Sequence, residues 1–267
     1  MSDILQLSDV HFSYDGSEVL RGIDLSVAEG SFVAVVGPNG SGKTTLVRIA
    51  SGLFLPKQGE CLVAGRPTHA YRRRELAQLV AVVPQESHIT FPFTGLQVVL
   101  MGRAPYLGPL GFESANDVAV AQSALRETDS ETLSDRLLGE LSGGEKQRVI
   151  IARALAQEAR LLLLDEAASH LDIRHQVDIF RIVRRLNRER GVTVVMVEHD
   201  LNLAAMLAER MVLLSAGRVF ADGPPAEVLT EANVSQVFGA DVRRQLDPVT
   251  GRPLLLPREP LDGPSPS

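Results

Sequence analysis

The chain has 267 residues, 45% hydrophobic and 22% charged, proportions of an ordinary globular protein that exclude a disordered or collagen-like chain. A net charge of −6 and a pI near 5.6 leave no positive field to attract DNA, RNA or anionic lipid, so nucleic acid is not an expected partner. No apolar stretch approaches the roughly 20 residues that cross a bilayer, and the opening MSDILQLSDV has neither the basic nor the apolar region of a secretory signal. If the chain works at a membrane, other chains must hold it there.

The elements follow in chain order. Ile4, Leu5, Leu7, Val10 and Phe12 alternate with polar residues, Asp15-Gly16 is a hairpin-type turn, and Val19-Leu20 and Ile23 to Val27 follow, which predicts a small antiparallel sheet. From Ser31 the pattern becomes a solid apolar run, Phe32 to Val36, then a glycine-rich loop and the helix-like Thr45 to Ala50. A strand, loop and helix in that order are the nucleus of a parallel α/β fold. The single cysteine, Cys61, lies in the strand-like run Glu60 to Ala64; it is expected to pack as a small hydrophobe, and it suits a reducing cytoplasm. Arg72-Arg73-Arg74 reads as a solvated helix face.

Between Gln85 and about Ala156 the strand signal vanishes, and the loop Gly102 to Pro109 is flanked by helical patterns, which predicts an inserted helical subdomain at about 86–156. Leu161 to Leu164 and Val192 to Val197 are two further buried strands, each followed by a helix-competent segment. Beyond Asp247, DPVTGRP and PREPLDGPSPS predict an ordered turn and a frayed tail. The expected division is one domain over 4–242 and an extension over 243–267.

In open α/β sheets the ligand lies off the carboxyl ends of the strands, so Gly37 onward, Asp165-Glu166 and Glu198-His199 are placed to converge on one pocket. Gly37-Pro38-Asn39-Gly40-Ser41-Gly42-Lys43-Thr44 has the spacing GxxxxGK[ST] between a strand and a helix, the context of a phosphate-binding loop. Its glycines let backbone N–H groups turn inward around phosphates, and the helix that follows offers its positive N-terminal end. Lys43 can reach the β- and γ-phosphates and the Thr44 hydroxyl can ligate magnesium. Asp165 supplies a carboxylate for magnesium and Glu166 one that can activate water. Taken alone, that pair fits equally a helix N-cap and a first-turn acid.

Leu141-Ser142-Gly143-Gly144-Glu145, followed by Lys146-Gln147-Arg148, is by itself only a serine-capped helix start with a flexible Gly-Gly. LSGGE before a basic-Gln-Arg helix nevertheless resembles the ABC signature. The phosphate loop, Gln85, LSGGE, Asp165-Glu166, Ser169-His170-Leu171-Asp172 and His199 then follow in the order of ABC ATPases, over about residues 4 to 257. The resemblance implies an α/β fold: a RecA-like P-loop NTPase core with a parallel sheet, an N-terminal antiparallel β-subdomain and an inserted α-helical subdomain.

It also implies roles. ATP lies on Gly37 to Thr45, with Tyr14 stacked on adenine, although one tyrosine at a strand end also fits simple packing. Magnesium is held by Thr44, Asp165 and Gln85, and catalysis falls to Glu166, His199 and Gln85. Leu141 to Glu145 complete the ATP site of an opposite subunit, and Ser169 and Asp172 belong to the D-loop at that interface. The implied partners are a second copy in an ATP sandwich, two transmembrane permease chains and, indirectly, a substrate-binding protein, with the chain peripheral on the cytoplasmic face of the membrane.

One departure stands out: Ala167-Ala168 replace the usual Pro-Thr, which frees a φ angle and predicts a looser or differently timed D-loop with activity retained. Arg74 to Ala77, Val98 to Gly108 and Asp247 to Pro253 resemble the branch that imports ferric siderophores, haem and cobalamin. Ferric siderophores are the first expectation. A soluble ABC ATPase uncoupled from transport, or a transporter of another substrate class, is the alternative. The coiled-coil insertion or tandem cassette of soluble members is not in the sequence.

Overall fold

The computed structural model describes residues 2–258 except 86, 88, 109, 110 and 170. The first two strands, β1 (Asp3–Tyr14) and β2 (Ser17–Ala28), pair antiparallel around the Asp15-Gly16 turn. After β3 (Phe32–Val36) and α1 (Lys43–Ala50), β4 (Gln58–Val63) returns to the other edge of β1, and the short β5 (Arg66–Pro67) completes a four-stranded antiparallel sheet. The predicted N-terminal sheet is therefore present, with β4 and β5 added to it. Cys61, on β4, is 2% exposed, and burial pushes its thiol up to about 12, so it packs as the expected small hydrophobe.

Next come α2 (Arg73–Ala77) and β6 (Val80–Val83). Three helices follow, α3 (Gly95–Leu100), α4 (Ala115–Glu127) and α5 (Gly143–Ala156), in the region where no strand is predicted. The chain re-enters the sheet at β7 (Leu161–Asp165). It continues through α6 (Ile173–Arg190), β8 (Thr193–Glu198), α7 (Leu201–Leu207), β9 (Arg210–Ser215) and β10 (Arg218–Gly223). The short α8 (Pro225–Val228) and α9 (Glu231–Phe238) lead to β11 (Val242–Leu246) and β12 (Pro253–Pro257).

The central sheet has the order β10-β9-β3-β8-β7-β6, with β9 through β6 parallel and β10 antiparallel at one edge. Every residue of β3 is 2% exposed or less, which is why its sequence is solidly apolar rather than alternating. Alternate residues feed two cores. Phe32, Ala34 and Val36 join the face covered by α3 to α7, whereas Val33 and Val35 join the face covered by α1 and the antiparallel sheet. Each such side chain contributes about 1.5–3 kcal/mol relative to exposure, so the two-sided burial of β3, β7 and β8 anchors the fold.

Two segments differ from expectation. DPVTGRP is a turn, as predicted, but it is the tip of a hairpin: β11 pairs antiparallel with β12 as far as Pro257, and Asp247 Oδ1 accepts from the Thr250 N–H at 2.7 Å. The predicted tail from 259 onward lies outside the described residues. The arginine triplet is exposed as expected, yet Arg74 also donates to the carbonyls of Ala104 and Leu107.

Those carbonyls belong to a loop pinned by Arg103, whose side chain is 3% exposed. Its guanidinium donates to Asp117 at 2.9 Å, to the Ala156 carbonyl at 2.7 Å and to Glu158 at 2.6 Å, and it lies 4.0 Å from the Tyr106 ring centroid. Hydrogen bonds from Ser114, and then Arg103, hold the Asp117 carboxyl down at about 2. One arginine thus joins the end of α3 to the start of α4 and the end of α5. Removing one partner of a buried pair leaves the other uncompensated, at about 3–5 kcal/mol. Arg103→Ala is therefore expected to lose about 3 kcal/mol, read as a lower urea midpoint at unchanged slope.

Candidate nucleotide-binding and hydrolysis site

The carboxyl ends of β3, β8, β7 and β6 stand side by side, with Val36 opposite Glu198, Val197 opposite Asp165 and Leu164 opposite Val83. The loops that leave these ends enclose a cleft of about 510 Å³ lined by Asn39, Gly40, Gly42, Lys43, Thr44, Thr45, Gln85, Glu166, His199 and, from β2, Val19. Parallel strands deliver chain ends to one edge, and the motifs predicted to converge do so.

The phosphate loop is shaped by space as well as by torsion. A Cβ at Gly37 would collide with the Leu214 carbonyl, and Gly42, which caps α1 at φ 103, would place a Cβ 2.5 Å from Leu20 Cδ2. Pro38 closes the turn by accepting from the Ser41 N–H at 3.2 Å, and the buried Ser41 hydroxyl has no partner of its own. Lys43 is 5% exposed, and its ammonium donates to the carbonyls of Gly37 at 2.9 Å and Pro38 at 3.1 Å. Burial lowers its pKa, while Glu166 and Asp165 oppose that shift. A cation is thus held at the mouth of a loop whose amides and helix dipole favour anions.

Thr44 Oγ1 donates to Asp165 Oδ1 at 3.2 Å, so a hydroxyl that lines the cleft is bonded to the carboxylate at the end of β7, and burial raises the Asp165 pKa. A buried acid of this kind gains from a cation. These hard oxygens, with the amide of Gln85 in the same cleft, fit magnesium, which binds through one or two protein oxygens together with phosphates. Among the described residues no group of three or more His, Cys, Asp or Glu is placed to hold a metal ion.

Glu166 is 6% exposed and adopts φ 53, a left-handed conformation that costs a non-glycine residue about 1–3 kcal/mol. The surroundings hold it there: its N–H donates to the Val197 carbonyl at 3.1 Å, and its own carbonyl accepts from the N–H and the hydroxyl of Ser169. The carboxylate consequently meets His199, with Glu166 Oε1 and His199 Nε2 2.5 Å apart. The pair can bind and pass a proton. Asp200, the expected cap of the next helix, accepts from the Leu203 N–H at 3.0 Å and fixes the segment that carries His199. Beside them Glu198 is 3% exposed; burial first, and the charge of Glu166 second, push it up to about 8, so it is neutral at pH 7.

Tyr14 stands at the rim. Its hydroxyl shares a hydrogen bond with Thr45 Oγ1 at 3.3 Å and accepts from Arg48 at 3.1 Å, while Phe12 and Phe54 pack edge-on against its ring at 5.0 and 5.8 Å. Arg48 was not predicted, although its position one turn after Thr45 on α1 is a usable signal. Ala167 and Ala168 are buried in the core. The Ala168 carbonyl accepts from the Leu171 N–H at 3.1 Å and from Gln176 at 3.2 Å.

Of the predicted site residues, Tyr14, Gly37, Pro38, Ser41 and Asp165 are not among those that line this cleft, and neither are the signature and D-loop groups. Leu141 is buried, and Ser142 caps α5 in a reciprocal box with Glu145, the Ser142 N–H donating to Glu145 Oε2 at 2.8 Å. Asp172 caps α6 by accepting from the His175 N–H at 3.0 Å.

The ABC transporter family profile matches residues 20–169. The hemin import ATP-binding protein HmuV of Rhizobium meliloti is 41% identical over 96% of this chain and 98% of its own length. The cobalamin import ATP-binding protein BtuD of Halobacterium salinarum is 40% identical over 95% of this chain and 63% of its own length. Among solved structures, an inward-facing ABC transporter described as metal-chelate type aligns over 97% of this chain and 98% of its own, with 28% identity and a TM-score of 0.85. A bacterial ABC transporter cassette solved as a dimer aligns over 83% of this chain and 98% of its own, with 30% identity and a TM-score of 0.72. The P-loop NTPase fold is shared throughout. The chain belongs to the ABC transporter family, as an ATP-binding subunit whose hydrolysis of ATP drives transmembrane transport.

Proposed function

We propose that the chain energises import of a metal chelate, working as an ATP-sandwich dimer on the inner face of the membrane. The observation that carries the hydrolytic part is the Glu166–His199 pair at 2.5 Å in the cleft that holds Lys43 and Thr44. Lys43, the loop amides and the N-terminus of α1 bind the phosphates, Tyr14 supports adenine, and Gln85 orients the attacking water. Glu166 accepts the proton of that water, and His199 fixes the carboxylate and meets the γ-phosphate. Thr44, Asp165 and Gln85 are the residues that would hold magnesium, which would supply charge neutralisation on the phosphates.

Ser142 and its glycines cap the ATP of the opposite subunit, and the dimeric cassette among the relatives supports this reading. No helix among the described residues is long and apolar enough to cross a membrane, so permease chains hold the protein there. The surface expected to take them is the loop 86–112. Phe91 and Phe112 are 71% and 78% exposed, and a groove of about 440 Å³ is lined by Phe93, Leu100, Met101 and Leu107. Ferric siderophores are the cargo first expected from sequence. The hemin and cobalamin relatives support a tetrapyrrole chelate as the second reading.

Glu166→Gln is expected to bind ATP at parental affinity, to lose turnover by about 10²–10⁴-fold, and to accumulate as an ATP-bound dimer. Steady-state ATPase and size-exclusion assays check this, and near-parental turnover removes Glu166 as the base. Mixing a Lys43→Ala chain with a Ser142-mutant chain should leave one of two composite sites intact and restore partial ATPase; no recovery in the mixture would place each site within one chain. Labelled uptake of ferric siderophores, haem and cobalamin in a deletion strain tests the cargo. Normal uptake of all three with a defect in sugar, amino-acid or lipid transport removes the metal-chelate assignment. Substitutions at Phe91 or Phe112 should uncouple uptake from hydrolysis while sparing nucleotide binding.

A further inference from the structure

The glycines of the signature turn are confined by a residue of the D-loop and one just after it in the same chain. A Cβ on Gly143 would come 3.3 Å from Leu171 Cδ2, a tight approach to a side chain that can shift. At Gly144 it would overlap the His175 ring itself, 2.5 Å from Cγ and 2.8 Å from Nε2. Gly144 is buried although it lies in the first turn of α5, because the imidazole covers it.

That ring is aimed from its other edge. His175 Nδ1 shares a hydrogen bond with Asp172 Oδ1 at 2.9 Å, and the same oxygen accepts from the His175 N–H at 3.0 Å. One carboxylate oxygen therefore both caps α6 and orients the imidazole toward Gly144. The next residue reaches the opposite way: Gln176 Nε2 donates to the carbonyl of Ala168, two residues after Glu166, at 3.2 Å. Residues 175 and 176 thus join the segment after Glu166 to the start of the signature helix.

We infer that His175 is a positioning residue that locks the signature turn to the D-loop, so that the motif offered to the partner's ATP is registered against the chain's own hydrolytic segment. The inference rests on the ATP-sandwich reading, and it makes a distinction within it. His175 is not among the residues that line the cleft, so it acts on dimer closure and not on binding of ATP to the monomer. It also gives the second signature glycine a steric reason that is independent of phosphate contact: any side chain at 144 displaces the imidazole.

The test uses the full chain in the Glu166→Gln background, where hydrolysis does not dissipate the dimer. Affinity for a fluorescent ATP analogue is measured at protein concentrations where the chain is monomeric, and ATP-dependent dimerisation is followed by light scattering. His175→Ala is expected to raise the dimer dissociation constant at least about tenfold, equal to 1.4 kcal/mol, while nucleotide affinity stays within about twofold. His175→Asn keeps a polar group near Asp172 but ends short of Gly144. It is the variant to use if alanine does not fold, and it should show the same split with a smaller rise. Parental dimerisation of the folded variant overturns the role of His175 and leaves the sandwich reading intact. Equal weakening of nucleotide affinity and dimerisation overturns it as well, since that is general damage to the domain. If Glu166→Gln with an intact His175 stays monomeric in ATP, the sandwich reading fails and takes this inference with it.

Discussion

Five parallel strands buried on both faces leave polar side chains only the ends of the strands to occupy, and the rest of the molecule depends on that constraint. The interiors of β3, β7 and β8 carry Val, Leu, Ala, Met and Phe because a charge there would have apolar neighbours on both sides. At the carboxyl edge the same strands turn abruptly to Gly37, Asp165-Glu166 and Glu198-His199. The strand order then sets which of these meet: β8 lies between β3 and β7, so His199 falls between the phosphate loop and Glu166. Chemistry drawn from positions more than 160 residues apart in the chain is brought together by backbone pairing alone.

That edge concentrates acids where water is scarce. Asp165, Glu166 and Glu198 are 9%, 6% and 3% exposed, and three neighbouring carboxylates could not all stay ionised without strong repulsion. The site resolves this by treating each differently. Asp165 is near Lys43 and Arg48 and bonded by Thr44, Glu166 is paired with His199, and Glu198 gives up its charge, with a pKa near 8. Because the folded chain keeps a proton on Glu198 that the unfolded chain loses at an ordinary carboxylate pKa, this residue withdraws stability as the pH climbs from the acid range to about 8, and no further beyond it. The left-handed backbone at Glu166 is a second cost of the same kind. Both are borne at the place where an unusual proton affinity is useful.

Much of this was legible in sequence because motif spacing and apolar runs are local signals. The phosphate loop, the acids after Leu164 and His199 needed only their flanking strands to be placed, and the predicted strand at Val192 to Val197 is displaced by one residue from β8. What escaped prediction depends on distant partners. The β11 strand (VRRQL) offers only Val242 and Leu246 as apolar residues, and its strand character comes from pairing with β12. Arg103 sits in a loop that looks like ordinary punctuation, and only the fold shows that Asp117, Ala156 and Glu158 surround it. His175 is a single residue without a spacing partner, so its meaning lies in what it touches.

The placement of Arg103 bears on how nucleotide and membrane events communicate. Helix α5 runs 14 residues, about 21 Å at 1.5 Å per residue. Its first turn is the signature, capped by Ser142 and covered by His175; its last carbonyl, that of Ala156, is held by Arg103. Arg103 in turn anchors the segment that carries Met101, Ala104 and Leu107 on the exposed groove proposed for the permease. A packed helix is stiff over this length, so a displacement at either end is carried to the other as a rigid shift rather than absorbed by rotamers. The two ends have different fastenings. The Arg103 end is buried and charge-paired, whereas the signature end rests on a half-exposed imidazole held by one exposed carboxylate. Motion introduced at the proposed groove would therefore meet the weaker fastening at the signature end, where the proposed closure on a second chain would act.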